Sequence, residues 1–185
     1  MRATCACCGW RDDFIFGDGA MDKIEAIKSK LPFPLYKDRE FLCVFINGKR
    51  LDECISSHVS SDYIGLIPSW LDLYDMNYEP SREEKEFVWK QTKLDEKRKI
   101  LPILLCPDDF DFSCTVVVVE VISEVDAVIW NRFGVDVSKF NPDEDGVFKY
   151  IGNAVEWFDG IRPHVFCKSE YTTCVDEFMR WNEKQ

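Results

Sequence analysis

The stretch "CTVVVVEVISEVDAVIWNRFGV", residues 114–135, decides how the chain is read. Four consecutive valines, Val116 to Val119, are stiff at χ1, which suits a pleated strand better than a helix. Four in a row leave no polar face, so the strand they form is covered on both sides. "SEVD" (123–126) breaks the run, and apolar residues return with period 2 over "AVIWNRFGV" (127–135). Strict alternation sends Val128, Trp130 and Arg132 to one face and Ile129, Asn131 and Phe133 to the other. Two such runs around a short polar turn predict an antiparallel pair, over 114–122 and 127–135, at the centre of a sheet.

Upstream, "LPILLC" (101–106) reads as a third strand, joined to the valine run through the acidic turn "PDDFD" (107–111). The stretch "PSREEKEFVWKQTKLDEKRKIL" (80–101) predicts a helix over 81–100. Ser81 caps it, acids fill its first turn and bases its last, as the helix dipole prefers. "MDKIEAIKSKL" (21–31) spaces Ile24, Ile27 and Leu31 as a helix does, and "PFP" ends it because proline cannot continue a helix. "REFLCVFINGKRL" (39–51) reads as a strand leading into a tight turn at Asn47-Gly48, with a further strand starting at Leu51. "IPSWLDLYDM" (67–76) and "YIGNAVEWF" (150–158) suggest short helices, the second weakened by Gly152. "HVFCK" (164–168) is a last short strand, and "SEYTTCVDEFMRWNEKQ" (169–185) places Tyr171, Cys174, Phe178 and Trp181 at helical intervals.

The expected class is therefore α+β. A single antiparallel sheet, centred on strands near 101–106, 114–122 and 127–135, is packed by helices near 21–31, 81–100 and 169–184. A length of 185 residues fits one globular domain over 1–185, with 1–12 as a loosely attached, cysteine-rich segment. Hydrophobic residues make up 46% of the chain, enough to fill a core without disulfides or metal. No apolar signal region opens the sequence and no apolar run approaches the roughly 20 residues that span a bilayer, so the expectation is a soluble cytoplasmic protein with no membrane partner. Nine cysteines, an odd number, then read as free thiols in a reducing compartment. Cys43 and Cys106, inside apolar runs, read as small packing residues.

Charge is unevenly spread within a net of −11. Residues 1–50 hold nine basic and seven acidic side chains, whereas 108–159 hold three basic and twelve acidic ones. A field of that sign repels nucleic acid and favours a basic protein partner.

Cys5 and Cys8 have the C-x-x-C spacing that lets two thiolates reach one tetrahedral ion. "HVFC" offers His164 and Cys167 at comparable spacing, so Cys5, Cys8, His164 and Cys167 form the one zinc quartet the sequence offers. The expectation is otherwise for no cofactor. The alternative function is accordingly a small zinc-binding or thiol-redox protein built on Cys5 and Cys8, although glutaredoxin-like chemistry would need a strand before the pair and none is predicted there. No nucleophile elbow, P-loop or dinucleotide fingerprint is present, which argues against an enzyme. "PDDFD" and "PDEDG" lack the alternating ligands and terminal bidentate acid of a calcium loop. Asp108, Asp109, Asp111, Asp143, Glu144 and Asp145 read instead as acidic edges. Trp130 and Trp157 beside them are the aromatic anchors an interface favours.

The stretches "CPDDFDFSCTVVVVEVISEVDAVIWNRFGVD" and "IGNAVEWFDGI", in a small acidic chain, resemble in type the immunity proteins of bacterial polymorphic toxin systems. The resemblance implies a non-enzymatic module that neutralises a basic partner, such as a nuclease-type toxin. It transfers no residue-level site.

Overall fold

A computed structural model describes residues 20–32, 38–72, 79–139 and 150–184. The valine run forms β6 (Val116–Ser123) and the following stretch β7 (Ala127–Asp136), an antiparallel pair at the centre of a six-stranded sheet. β7 departs from strict alternation. Glu120 pairs with Arg132 but Val121 pairs with Trp130, so Asn131 is the extra residue of a bulge. The bulge returns Phe133 to the side of Trp130. Both are buried, with ring centres 5.8 Å apart, and Arg132 is left exposed on the other side.

On the far side of β6 lies β5 (Arg98–Leu105), with a bulge between Pro102 and Leu104, where proline's missing N–H does no harm. A two-residue strand, β4 (Ile67–Pro68), covers the end of β5. β7 is long enough to take two partners along one edge. β9 (His164–Cys167) pairs with its first half and β8 (Val155–Trp157) with its second. Gly134 permits the second pairing, because a Cβ there would stand 2.5 Å from Val155 Cγ1 and 2.7 Å from the Glu156 carbonyl oxygen.

The expected single sheet is two. β1 (Ile24–Lys30), β2 (Glu40–Ile46) and β3 (Lys49–Arg50) form a separate antiparallel sheet. The β2–β3 turn is at Asn47 (φ 53°) and Gly48 (φ 79°), as the Asn-Gly dipeptide requires. The sheets meet at Asp22, whose N–H donates to the Val165 carbonyl at 2.7 Å. The C-terminal helix Lys168–Asn182 buries Tyr171, Cys174, Val175 and Phe178. Around it Trp70, Trp130, Phe166 and Tyr171 meet mostly edge to face, the preferred geometry of aromatic quadrupoles.

Five further expectations are corrected. Residues 21–31 are not a helix: β1 pairs along its whole length with β2, from Ile24↔Ile46 to Lys30↔Glu40. The eleven residues 21–31 are too few for a self-sustaining helix, while pairing with β2 satisfies the backbone groups on the facing edge of β1 and adds its apolar residues to a sheet. Ile27, counted as part of a helical stripe, lies on the more open face and is 39% exposed. The helix expected over 81–100 spans Glu79–Thr92, and Arg98 onward belongs to β5. The bases at 97–99 therefore do not complement a helix dipole; Lys99 Nζ reaches Asp95 Oδ1 at 3.2 Å. The expected helix at 150–158 is a turn at Gly152 (φ 90°) followed by β8. Leu51 starts a six-residue helix, Leu51–Ser56, instead of a strand. In chain order the helices are α1 (Leu51–Ser56), α2 (Glu79–Thr92) and α3 (Lys168–Asn182). Within 67–76, the described part is β4 and a turn rather than a helix. Among the described residues no helix is long and apolar enough to cross a membrane.

Candidate functional site

The loop between β5 and β6, Cys106 to Thr115, carries three acids and no base. The Cys106 N–H donates to the Thr115 carbonyl at 3.1 Å and closes its base. Pro107 to Asp109 form a turn, and the Phe110 N–H returns to the Cys106 carbonyl at 3.2 Å. Phe110 adopts φ 57°, so the chain doubles back sharply behind Asp109. Asp111 accepts from the N–H and hydroxyl of Ser113. Phe112 then plunges into the core and meets Phe87 of α2 edge to face at 6.0 Å. Asp108 and Asp109 are left exposed at the tip of a loop pinned at both ends.

Behind the loop stands Glu84 of α2, 6% exposed. Its Oε1 accepts a long hydrogen bond, 3.5 Å, from the Phe112 N–H, and its Oε2 has no partner among the described residues. Burial and the nearby Asp111 carboxylate push its pKa from 4.5 up to about 7, against the weaker pull of the Phe112 N–H. Two thiols flank the same turn. Cys106 Sγ, an Asp109 carboxylate oxygen and Cys114 Sγ all lie within 4.8 Å of one another, with Asp109 and Cys114 exposed. Burial holds the Cys106 thiol above its ordinary value, and the backbone N–H groups of Asp108 and Asp109 pull the other way.

A second polar cluster lies on the open side of the β7 bulge. Glu120, buried, accepts from Asn131 Nδ2 at 2.6 Å and from Arg132 at 3.2 Å. Arg132 lies 3.9 Å over the Trp157 ring. A third lies where the sheets meet. Asp22 accepts from Arg162 Nη2 at 2.5 Å, Asn47 Nδ2 at 2.6 Å and the Val165 N–H at 3.2 Å, and faces His164 Nδ1 at 3.0 Å. Burial works against the charged Asp22, but Arg162, Asn47 and His164 bring its pKa down to about 2. Burial likewise disfavours the charged His164, and Asp22 opposes it. An acid–imidazole pair can orient a general base. Here the carboxylate's lone pairs are already used on strand ends and an arginine, the arrangement of a structural lock between two sheets.

The predicted site residues are thus dispersed. Asp108, Asp109 and Asp111 come together on one loop. Trp130 is fully buried among Trp70, Phe166 and Tyr171, so it is a core residue and not a surface anchor. Trp157 is half-buried beneath Arg132. Asp143, Glu144 and Asp145 lie outside the described residues, as do Cys5 and Cys8. His164 and Cys167 share β9, but an odd spacing on a strand sends them to opposite faces. His164 stacks on Phe166, and Cys167 Sγ contacts the Ser169 hydroxyl at 3.1 Å. Sequence reading passed over Glu84, Asp22 and Cys114. Cys106 was legible only as a packing thiol, although the spacing Cys106-x-x-Asp109-x-x-x-x-Cys114 across a turn was there to be seen.

No protein-family model matches the chain, and comparison with curated proteins and with solved structures finds no match either.

Proposed function

We propose that the chain is a protein-binding module that takes a basic partner on the acidic β5–β6 loop, in the manner of a toxin-neutralising immunity protein. The observation that carries the reading is the exposure of Asp108 and Asp109 at the tip of a loop without a single base, whose ends are tied down by the Cys106–Thr115 hydrogen bond and the buried Phe112. A pre-positioned pair of carboxylates loses little freedom on binding. It also attracts a cationic surface over a distance of about a Debye length, ~8 Å at physiological salt. Glu120 adds little to this field, because Asn131, Arg132 and Arg98 already engage it.

The reading is tested by capture from the source proteome with the wild-type chain and with Asp108→Lys/Asp109→Lys. The expected result is a basic protein retained by the first and lost from the second. Its association rate should fall roughly tenfold or more as salt is raised through the screening range. A partner held equally by both chains, with a salt-independent association rate, overturns the acidic-loop reading.

A further inference from the structure

We propose that Cys106, Asp109 and Cys114 form a binding site for a thiophilic divalent cation of the zinc class, distinct from the C-x-x-C near the N-terminus. Their ligand atoms already lie within 4.8 Å of one another. Cys106 and Asp109 are three residues apart, the spacing at which a metal-binding turn presents its first two ligands, and Cys114 comes from the far end of the same loop, two residues before β6. Tetrahedral coordination at a zinc–sulfur distance of ~2.3 Å puts the two sulfurs about 3.7 Å apart. The site therefore has to contract by at most about an ångström, and Asp109 and Cys114 are its two exposed members. Two sulfurs and one oxygen select a soft or borderline cation over calcium or magnesium. Three protein ligands leave the fourth position to water or to a group from outside the chain.

This inference does not depend on a protein partner, because metal uptake is read on the isolated chain. The experiment uses full-length protein with Cys5, Cys7 and Cys8 replaced by serine, reduced and stripped of metal, then titrated with zinc alone against a chromophoric chelator. Cobalt(II) serves as a spectroscopic probe. The expected result is about one equivalent of zinc per chain and a sulfur-to-cobalt charge-transfer band. Cys114→Ser should abolish the band and weaken zinc binding by ~100-fold, and Asp109→Asn should weaken it by ~10-fold while keeping the band. Because Cys114 and Asp109 are exposed, both variants should fold, which the far-ultraviolet circular dichroism of each checks. No uptake by the reduced protein, its Cys106 and Cys114 thiols titrating as free, overturns the proposal. So does uptake that Cys114→Ser leaves unchanged.

Discussion

Asp22 and Glu84 are buried to nearly the same depth, 4% and 6% exposed, yet their acidities move in opposite directions, to about 2 and to about 7. Removal from water raises both. The difference lies in what each carboxylate receives in return. Asp22 gathers an arginine, an asparagine amide, a backbone N–H and the edge of an imidazole, so its charge is solvated by the protein. Glu84 receives one long N–H contact and faces another carboxylate, so neutrality is the cheaper state. Burial thus sets the stakes, and the donors at hand decide the sign. The first acid closes the seam between two sheets, whereas the second lies under a loop with exposed charge and thiols.

Breaking the Asp22 side of the comparison should have the larger effect. Asp22→Ala leaves the Asn47 amide and the Val165 N–H without their carboxylate acceptor, while Arg162, its side chain 63% exposed, loses a pair that solvent already screens, so the cost is about 2–3 kcal/mol and comes mainly from the orphaned donors. Urea unfolding at pH 7 reads this directly, and a loss under ~1 kcal/mol would show that the seam is held by packing alone. The folded pKa is depressed, so this stabilisation is present above pH 3.8 and is lost as the pH falls toward about 2. The alanine variant should accordingly lose the steepest part of the wild-type acid limb.

Glu84 has the opposite sign. Its folded pKa lies above the unfolded value, so between pH 4.5 and about 7 the unfolded chain has released a proton that the folded one keeps. Stability therefore falls as the pH rises through that window. Glu84→Gln preserves shape and an acceptor for Phe112 while removing the charge. It should stabilise the chain by about 2 kcal/mol at pH 8 and by well under 1 kcal/mol at pH 5. Equal effects at the two pH values in thermal or urea unfolding would show that the wild-type carboxylate is ionised throughout.

The two acids also mark the limit of what local pattern can reveal. The valine run, the Asn-Gly turn and the terminal helix carry their signals within a few residues, and the α+β class with the β6–β7 pair at its centre follows from them. β1 does not. Ile24, Ile27 and Leu31 satisfy a helical period by coincidence, and only the presence of β2 beside them makes the strand. The Asn131 bulge is equally non-local, and it alone turns Phe133 inward. At the candidate site, the acidic character of Asp108, Asp109 and Asp111 was plain from composition. The thiols beside Asp109 and the buried carboxylate behind Phe112 were not, because they are assembled by a loop closure and a helix about thirty residues upstream.

Glu120 supplies a third point between the extremes. It is as buried as Asp22, at 4%, and its pKa is lowered: burial opposes the charge, while the Asn131 amide and Arg132 outweigh it. Its cationic partners are largely in solvent, with the Arg132 side chain 47% exposed and that of Arg98 62% exposed. An exposed arginine contributes little, because water and salt already screen it. Asn131 Nδ2, at 2.6 Å, is the half-buried donor and should do most of the work. Arg132→Gln should therefore cost only about 0.5–1 kcal/mol, part of it from lost stacking over Trp157. Asn131→Ala should cost more, since it strips a buried carboxylate of its closest donor. If urea unfolding ranks the two variants the other way, charge rather than hydrogen-bond donation governs buried acids in this fold, and the contrast between Asp22 and Glu84 reduces to the presence of Arg162.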